Sequence, residues 1–152
     1  MEFARNKQEI FISQRKYVLD LLKETGKLGC KPVLTHLERN WKQKITDDDP
    51  PVDRKTYQHL VGKLIYLSLI RPNITFSMSL ISQFMHTPTK RHMDVAIQIL
   101  RYLKGSLGKG LLFRKMSTRD VVGYSNADGV GAVDDSKSTT GYCTKVWENL
   151  VT

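Results

Sequence analysis

The stretch GYSNADGVGAVDDSKSTTGYC, residues 123–143, gathers glycine, aspartate and asparagine between two strand-like ends, a composition suited to backbone turning tightly beside a metal ion. A calcium loop of the EF-hand kind wants an acid at its first position and a glutamate at its twelfth. Aligning Gly129 with the invariant glycine puts Tyr124 first and Asp135 last, so that chemistry fails. A phosphate-cradling loop needs Gly-Lys followed by Ser or Thr. Neither GKL at 62–64 nor GKG at 108–110 supplies it. The remaining option is a two-metal nuclease site built from several carboxylates. On a strand through GYSNAD, Tyr124, Asn126 and Asp128 share one face, and the middle ligand position is a neutral amide. An active nuclease would have to assemble its metal site from Asn126, Asp128, Asp134 and Asp135.

A second chemistry is carried by charge. The 152 residues have a formal net charge of +9, concentrated in residues 54–115, where eleven basic residues face one acid, Asp94. Such a block favours a polyanion, and nucleic acid is the usual one. Lys55, Lys63, Arg71, Lys90, Arg91, Arg101 and Lys104 are the candidate phosphate contacts. Each alone reads better as a solvated cation, and Arg71 equally as a helix cap; their clustering is what supports a site. His59, His86 and His92 have no ligand spacing and read as exposed or capping residues. Tyr66 and Tyr102 sit at helical spacing and read as core. The triplet Asp47–Asp49 reads as solvated. Cys30 and Cys143, far apart and without a CxxC partner, read as reduced thiols rather than zinc ligands.

The elements that position these residues follow from periodicity. QEIFISQ (8–14) is apolar and β-branched, a strand; the helix after it takes Ser13 as N-cap, Tyr17, Val18, Leu21 and Leu22 as its buried face, and Gly26 as its terminator. Residues 31–53 lack periodicity and read as a linker across the surface, with Trp41 tucked against the core. Three amphipathic helices follow. The first, capped by Asp53, buries Tyr57, Leu60, Val61, Leu64 and Ile65; the second starts with Pro72 in its first turn and uses Ile74, Met78, Ile81 and Met85 or Phe84; the third uses Met93, Ala96, Ile97, Leu100 and Leu103 and stops at Gly105. The period then changes to strands at 111–115, 121–126, 141–147 and 150–152. No apolar run approaches the ~20 residues of a membrane span, and the charged N-terminus has no signal-peptide core. The expectation is an intracellular protein, cytoplasmic or nuclear, neither secreted nor membrane-bound.

IFISQRKYVLDLLKETGKLGCKPV, YQHLVGKLIYLSLIRPNITFSMSLISQFMHTPTKRHMDVAIQILRYLKGSLGKGLLF and GYSNADGVG…DDSKSTTGYC…ENLV together resemble, in order, a copia-type LTR-retrotransposon Pol polyprotein. The resemblance covers essentially the whole chain and spans the tail of the reverse transcriptase and the opening of the ribonuclease H domain. It implies an α+β chain: an N-terminal strand and helix, a three-helix unit like the reverse transcriptase thumb and connection (residues 1–109, linker 31–53 included), and an incomplete antiparallel ribonuclease H-like sheet (110–152). The family's polymerase Tyr-Val-Asp-Asp would lie upstream of the strand near Phe3 and is absent here. The ribonuclease H opening resembles Tyr-Ser/Thr-Asp-Ala-Asp-Trp-Ala-Gly, whose first aspartate is a metal ligand. Carried onto this sequence, that ligand position is Asn126 and the tryptophan is Gly129, while Asp128 keeps its identity. The family's further carboxylate ligands would fall beyond Thr152.

The resulting expectation is a truncated, non-catalytic piece of a retrotransposon reverse transcriptase/ribonuclease H polyprotein that binds RNA, DNA or their hybrid weakly and non-specifically. No cofactor is expected, although the intact family uses Mg2+. An active ribonuclease H-type nuclease and a protein-interaction module built on the helices are the alternatives. Uncovered sheet edges add a tendency to self-associate.

Overall fold

The computed structural model describes residues 1–41, 49–115, 121–127, 140–146 and 149–150. Their architecture is mixed α+β: strands β1 (Glu2–Arg5) and β2 (Glu9–Ser13), helices α1 (Arg15–Glu24), α2 (Arg54–Ser68), α3 (Thr75–Ser82) and α4 (Lys90–Lys104), then strands β3 (Gly110–Arg114), β4 (Val121–Ala127), β5 (Thr140–Val146) and β6 (Asn149–Leu150). Two three-stranded sheets form, in the orders β1-β2-β3 and β4-β5-β6. By internal contacts the chain divides into Met1–Phe3 with Ile12–Leu111, and Ala4–Phe11 with Leu112–Thr152.

The first unit is helical and owns the core. Tyr57, Leu60, Val61, Leu64 and Leu67 from α2 meet Val18, Leu21 and Leu22 from α1, Met78 and Ile81 from α3, and Ala96, Ile99, Leu100 and Leu103 from α4. The Tyr57 hydroxyl donates to the Ile81 carbonyl at 2.7 Å, which satisfies the polar end of a fully buried ring, and burial pushes its pKa up. Helix α1 stops where the sequence says it should. Gly26 takes φ 66°, Lys27 N–H reaches the Leu22 carbonyl at 2.7 Å and Gly26 N–H that of Lys23 at 3.1 Å, a Schellman ending that favours glycine.

Several expectations need correction. The α1 N-cap is Gln14, because Ser13 Oγ donates to Glu2 instead, at 3.2 Å. Ile65 is 40% exposed and Leu67 takes the buried place, so the inward stripe of α2 continues by a step of three rather than four. On α4 the stripe is His92, Ala96, Ile99, Leu100 and Leu103, with Met93 and Ile97 only half-buried, because α4 is met by α1, α2 and α3 and its buried face turns towards Ile99. The second helix splits into a 3₁₀ turn, Pro72–Ile74, and α3; Phe84 and Met85 follow its end, half-buried.

Residues 27–41 cross the surface of the helical unit and are held onto it. Gln98 Nε2 donates to the Thr35 carbonyl at 3.2 Å, His36 packs edge-on against Tyr102 at 5.3 Å, and Trp41, 8% exposed, packs edge-on against Phe84 at 6.3 Å. Asp47 and Asp48 lie outside the described residues. Asp49 is not solvated as expected: its side chain is 13% exposed and lies 3.7 Å from Arg91 Nε.

In the second unit, Asn6 Oδ1 accepts the N–H groups of Gln8 at 2.8 Å and Glu9 at 2.6 Å, tightening the turn from β1 into β2. β4 runs antiparallel to β5 with Tyr124 opposite Cys143 and Asn126 opposite Gly141. The Asn149 side chain receives the Arg114 N–H at 2.8 Å and returns a hydrogen bond to the Arg114 carbonyl at 2.9 Å, imitating a strand partner.

Candidate nucleic-acid interface

The starts of α2 and α4 lie side by side. Lys90 N–H donates to the Pro50 carbonyl at 2.8 Å and Val52 N–H to the Pro88 carbonyl at 3.2 Å, with Pro51 opposite Thr89 in an antiparallel bridge. Asp53 caps α2 by accepting the Thr56 N–H at 2.7 Å, and that contact holds its carboxyl below the usual aspartate range. Neither helix has an acid in its first turn; Arg54 and Lys55 stand in one, Lys90 and Arg91 in the other. Helix N-termini carry partial positive charge and favour acidic neighbours; Asp53 supplies one at the cap of α2, while the four cations in the two first turns add to the local potential. Their internal partners are weak. Lys90 meets Asp94 at 3.4 Å in an exposed i,i+4 pair, Arg91 meets Asp49 at 3.7 Å and Arg54 meets His86 at 3.4 Å. Such a surface suits anionic oxygen.

The other expected cations are turned to structural contacts. Arg71 is 4% exposed; its guanidinium donates to the Ser106 carbonyl at 2.9 Å and to Ser106 Oγ at 2.6 Å, and burial lowers its pKa. Arg101 Nε donates to the Lys31 carbonyl at 3.0 Å, and Lys104 Nζ to the carbonyls of Leu28 and Cys30, both at 2.6 Å. Lys63 Nζ bonds Glu24, and that bond, helped by His59 at 3.2 Å, holds the Glu24 carboxyl below its usual range. Of the seven candidates, Lys63 is taken up by Glu24 and Arg71 by Ser106, and the other five fall into two sets. Lys55, Lys90 and Arg91 gather at the joined helix starts, and Arg101 and Lys104 gather on the strap at 28–31. Arg54 belongs with the first set and was legible between the Asp53 cap and Lys55. Ser77 Oγ lies 2.5 Å from His36 Nδ1, but Ser77 is fully buried, so this pair anchors residues 27–41 and offers no accessible nucleophile.

The chain is similar to the retrovirus-related Pol polyprotein from transposon RE1 of Arabidopsis thaliana, 38% identical over 142 residues, which are 93% of this chain and 10% of that one. It is 33% identical over 145 residues to the Pol polyprotein from transposon TNT 1-94 of Nicotiana tabacum, covering 91% of this chain and 11% of that one. The chain belongs to the copia-type retrotransposon Pol family. It spans about a tenth of the length of those two Pol polyproteins. An uncharacterized mitochondrial protein of Arabidopsis thaliana is also similar, 34% identical over 142 residues, 59% of its length. No family model and no solved structure matches.

In this Pol chain, Asn126 stands in β4 opposite Gly141, while Asp128, Asp134 and Asp135 lie outside the described residues. At the position where the family resemblance places a metal-ligating aspartate, the residue offers a neutral amide oxygen, a poor match for a hard divalent cation. Among the described residues no group of three His, Cys, Asp or Glu side chains could hold a metal ion, and no helix is long and apolar enough to cross a membrane.

Proposed function

We propose that this Pol-family chain is a non-catalytic nucleic-acid-binding element whose phosphate contacts are Lys55, Lys90 and Arg91, joined by Arg54. The helices are read as the thumb and connection of the reverse transcriptase and the β4-β5-β6 sheet as the opening of ribonuclease H. One observation carries the binding reading: two helix starts are tied together and present four cations with no acid in either first turn. Each phosphate neutralised lowers log K by ~0.9 per decade of salt, so a three- or four-contact face predicts weak binding with a slope of roughly −3 to −4. Backbone contacts of this kind select no base sequence. Arg71, Arg101 and Lys104 contribute architecture rather than phosphate contact.

The non-catalytic reading is supported by the amide at Asn126, since a two-ion site draws its attraction from several carboxylates. Titrating a labelled RNA–DNA hybrid at several salt concentrations, with and without magnesium, tests both parts. Salt-weakened binding without cleavage is expected. Binding indifferent to salt removes the phosphate reading, and chelator-sensitive cleavage removes the non-catalytic one.

A further inference from the structure

We propose that the start of α4 is a proton-operated latch, closed when His92 is neutral and opened when it takes a proton on Nδ1. The geometry fixes the neutral form. Thr89 N–H donates to His92 Nδ1 at 3.0 Å and the Thr89 hydroxyl lies 2.9 Å from the same nitrogen; with Nδ1 accepting from the N–H, the ring hydrogen sits on Nε2. The bridge leaves Thr89 no other acceptor in Pro51: its two hydrogen bonds run through Lys90 N–H and Val52 N–H, and Pro51 and Thr89 face each other between them. His92 therefore supplies the side-chain arm of a capping box, a task more often given to Glu or Gln.

Protonation reverses every part of this. A hydrogen on Nδ1 would turn to the Thr89 hydroxyl, 2.9 Å away, and the Thr89 N–H would lose its acceptor. The new charge would sit in the first turn, against the positive end of the helix. It would also be poorly solvated, because His92 is 3% exposed, its ring is stacked on Phe84 at 3.9 Å, and Nε2 is buried with no hydrogen-bond partner among the described residues. Among the described residues, Asp49 from the segment before α2 is the charged group that acts on His92, and it also meets Arg91, which follows Lys90 on α4; Lys90 pairs with Asp94, and His86, past the end of α3, is engaged by Arg54. Burial lowers the His92 pKa and Asp49 opposes that shift only in part. Below the ordinary histidine value of ~6.5 the unfolded chain takes up the proton first. The stability from the neutral cap is thus present above that value and lost as pH falls through the folded one.

The latch holds whether or not the basic face binds nucleic acid, so its test uses the free protein. Nitrogen-15 NMR of the full chain should show His92 as the Nε2–H form, titrating below ~6.5. Protection of the Thr89 amide, corrected for intrinsic exchange, should fall about tenfold or more between pH 7 and pH 5. His92→Gln keeps an acceptor and takes no proton, so its melting temperature should lose less on the same acidification. An Nδ1–H form, a midpoint at or above ~6.5, or unchanged Thr89 protection overturns the proposal, and each is read on the unsubstituted chain. Equal acid sensitivity in a folded His92→Gln protein overturns it as well.

Discussion

The two ends of α4 carry the same kind of residue and use it in opposite ways. At the C-terminal end, Arg101 and Lys104 meet backbone carbonyls, and their charge also complements the negative end of the helix. At the N-terminal end, Lys90 and Arg91 oppose the helix dipole, and among the described residues their partners are loose, Asp94 at 3.4 Å and Asp49 at 3.7 Å. A cation in a favourable field with good acceptors is part of the fold. One in an unfavourable field with poor acceptors is available to something else.

Substitutions at the two ends should therefore separate stability from binding. The largest effect is expected beyond the C-terminal end, at Arg71→Ala, which removes two charge-assisted bonds to Ser106 and should cost about 2–3 kcal/mol in urea unfolding while leaving the salt slope of nucleic-acid binding unchanged. Next comes Lys90→Ala with Arg91→Ala: affinity for a hybrid duplex at low salt should fall about tenfold and the salt slope should shrink by about 2, with thermal stability unchanged or slightly raised. A loss of stability there would break the contrast. Lys104→Met keeps the aliphatic stem but not the bonds to Leu28 and Cys30, and should cost about 1 kcal/mol with binding retained. The smallest effect is expected at Asp53→Ala. The Asp53 pKa is lowered in the fold, so its stabilisation is present above the ordinary ~3.9 and lost as pH falls through the folded value. The variant should melt lower than the parent at pH 7 and converge with it in acid.

Much of this was readable from residue order because it is local. Asp53 as a cap, Gly26 as a terminator and the faces through Leu21 and Leu64 depend on neighbours within one or two turns. What was not readable depends on distant partners. Ile65 and Leu67 are equally apolar, and only the placement of α1, α3 and α4 around α2 decides which turns inward. Arg71 and Lys90 are indistinguishable in a string; one meets Ser106, 35 residues on, and the other lies on the surface. His92 read as exposed or capping; it caps from a buried position, and its setting depends on Pro51 lying opposite Thr89, a pairing across 38 positions. The metal-like stretch was the reverse case: its chemistry could be tested position by position against ligand rules, whereas only Asn126 and its strand neighbours up to Ala127, with the closing residues from Thr140, fall among the described residues.

The strap at 28–31 is gripped through main-chain oxygens of Leu28, Cys30 and Lys31. Peptide carbonyls are common to every amino acid, so the grip does not inspect which side chains the strap carries. Substitutions at the exposed Leu28 and Lys31 can accumulate at little penalty provided the chain keeps its path, whereas Cys30 packs against the core and the two fingers on α4 are not interchangeable with shorter residues. Tolerance on one side of the contact is matched by intolerance on the other.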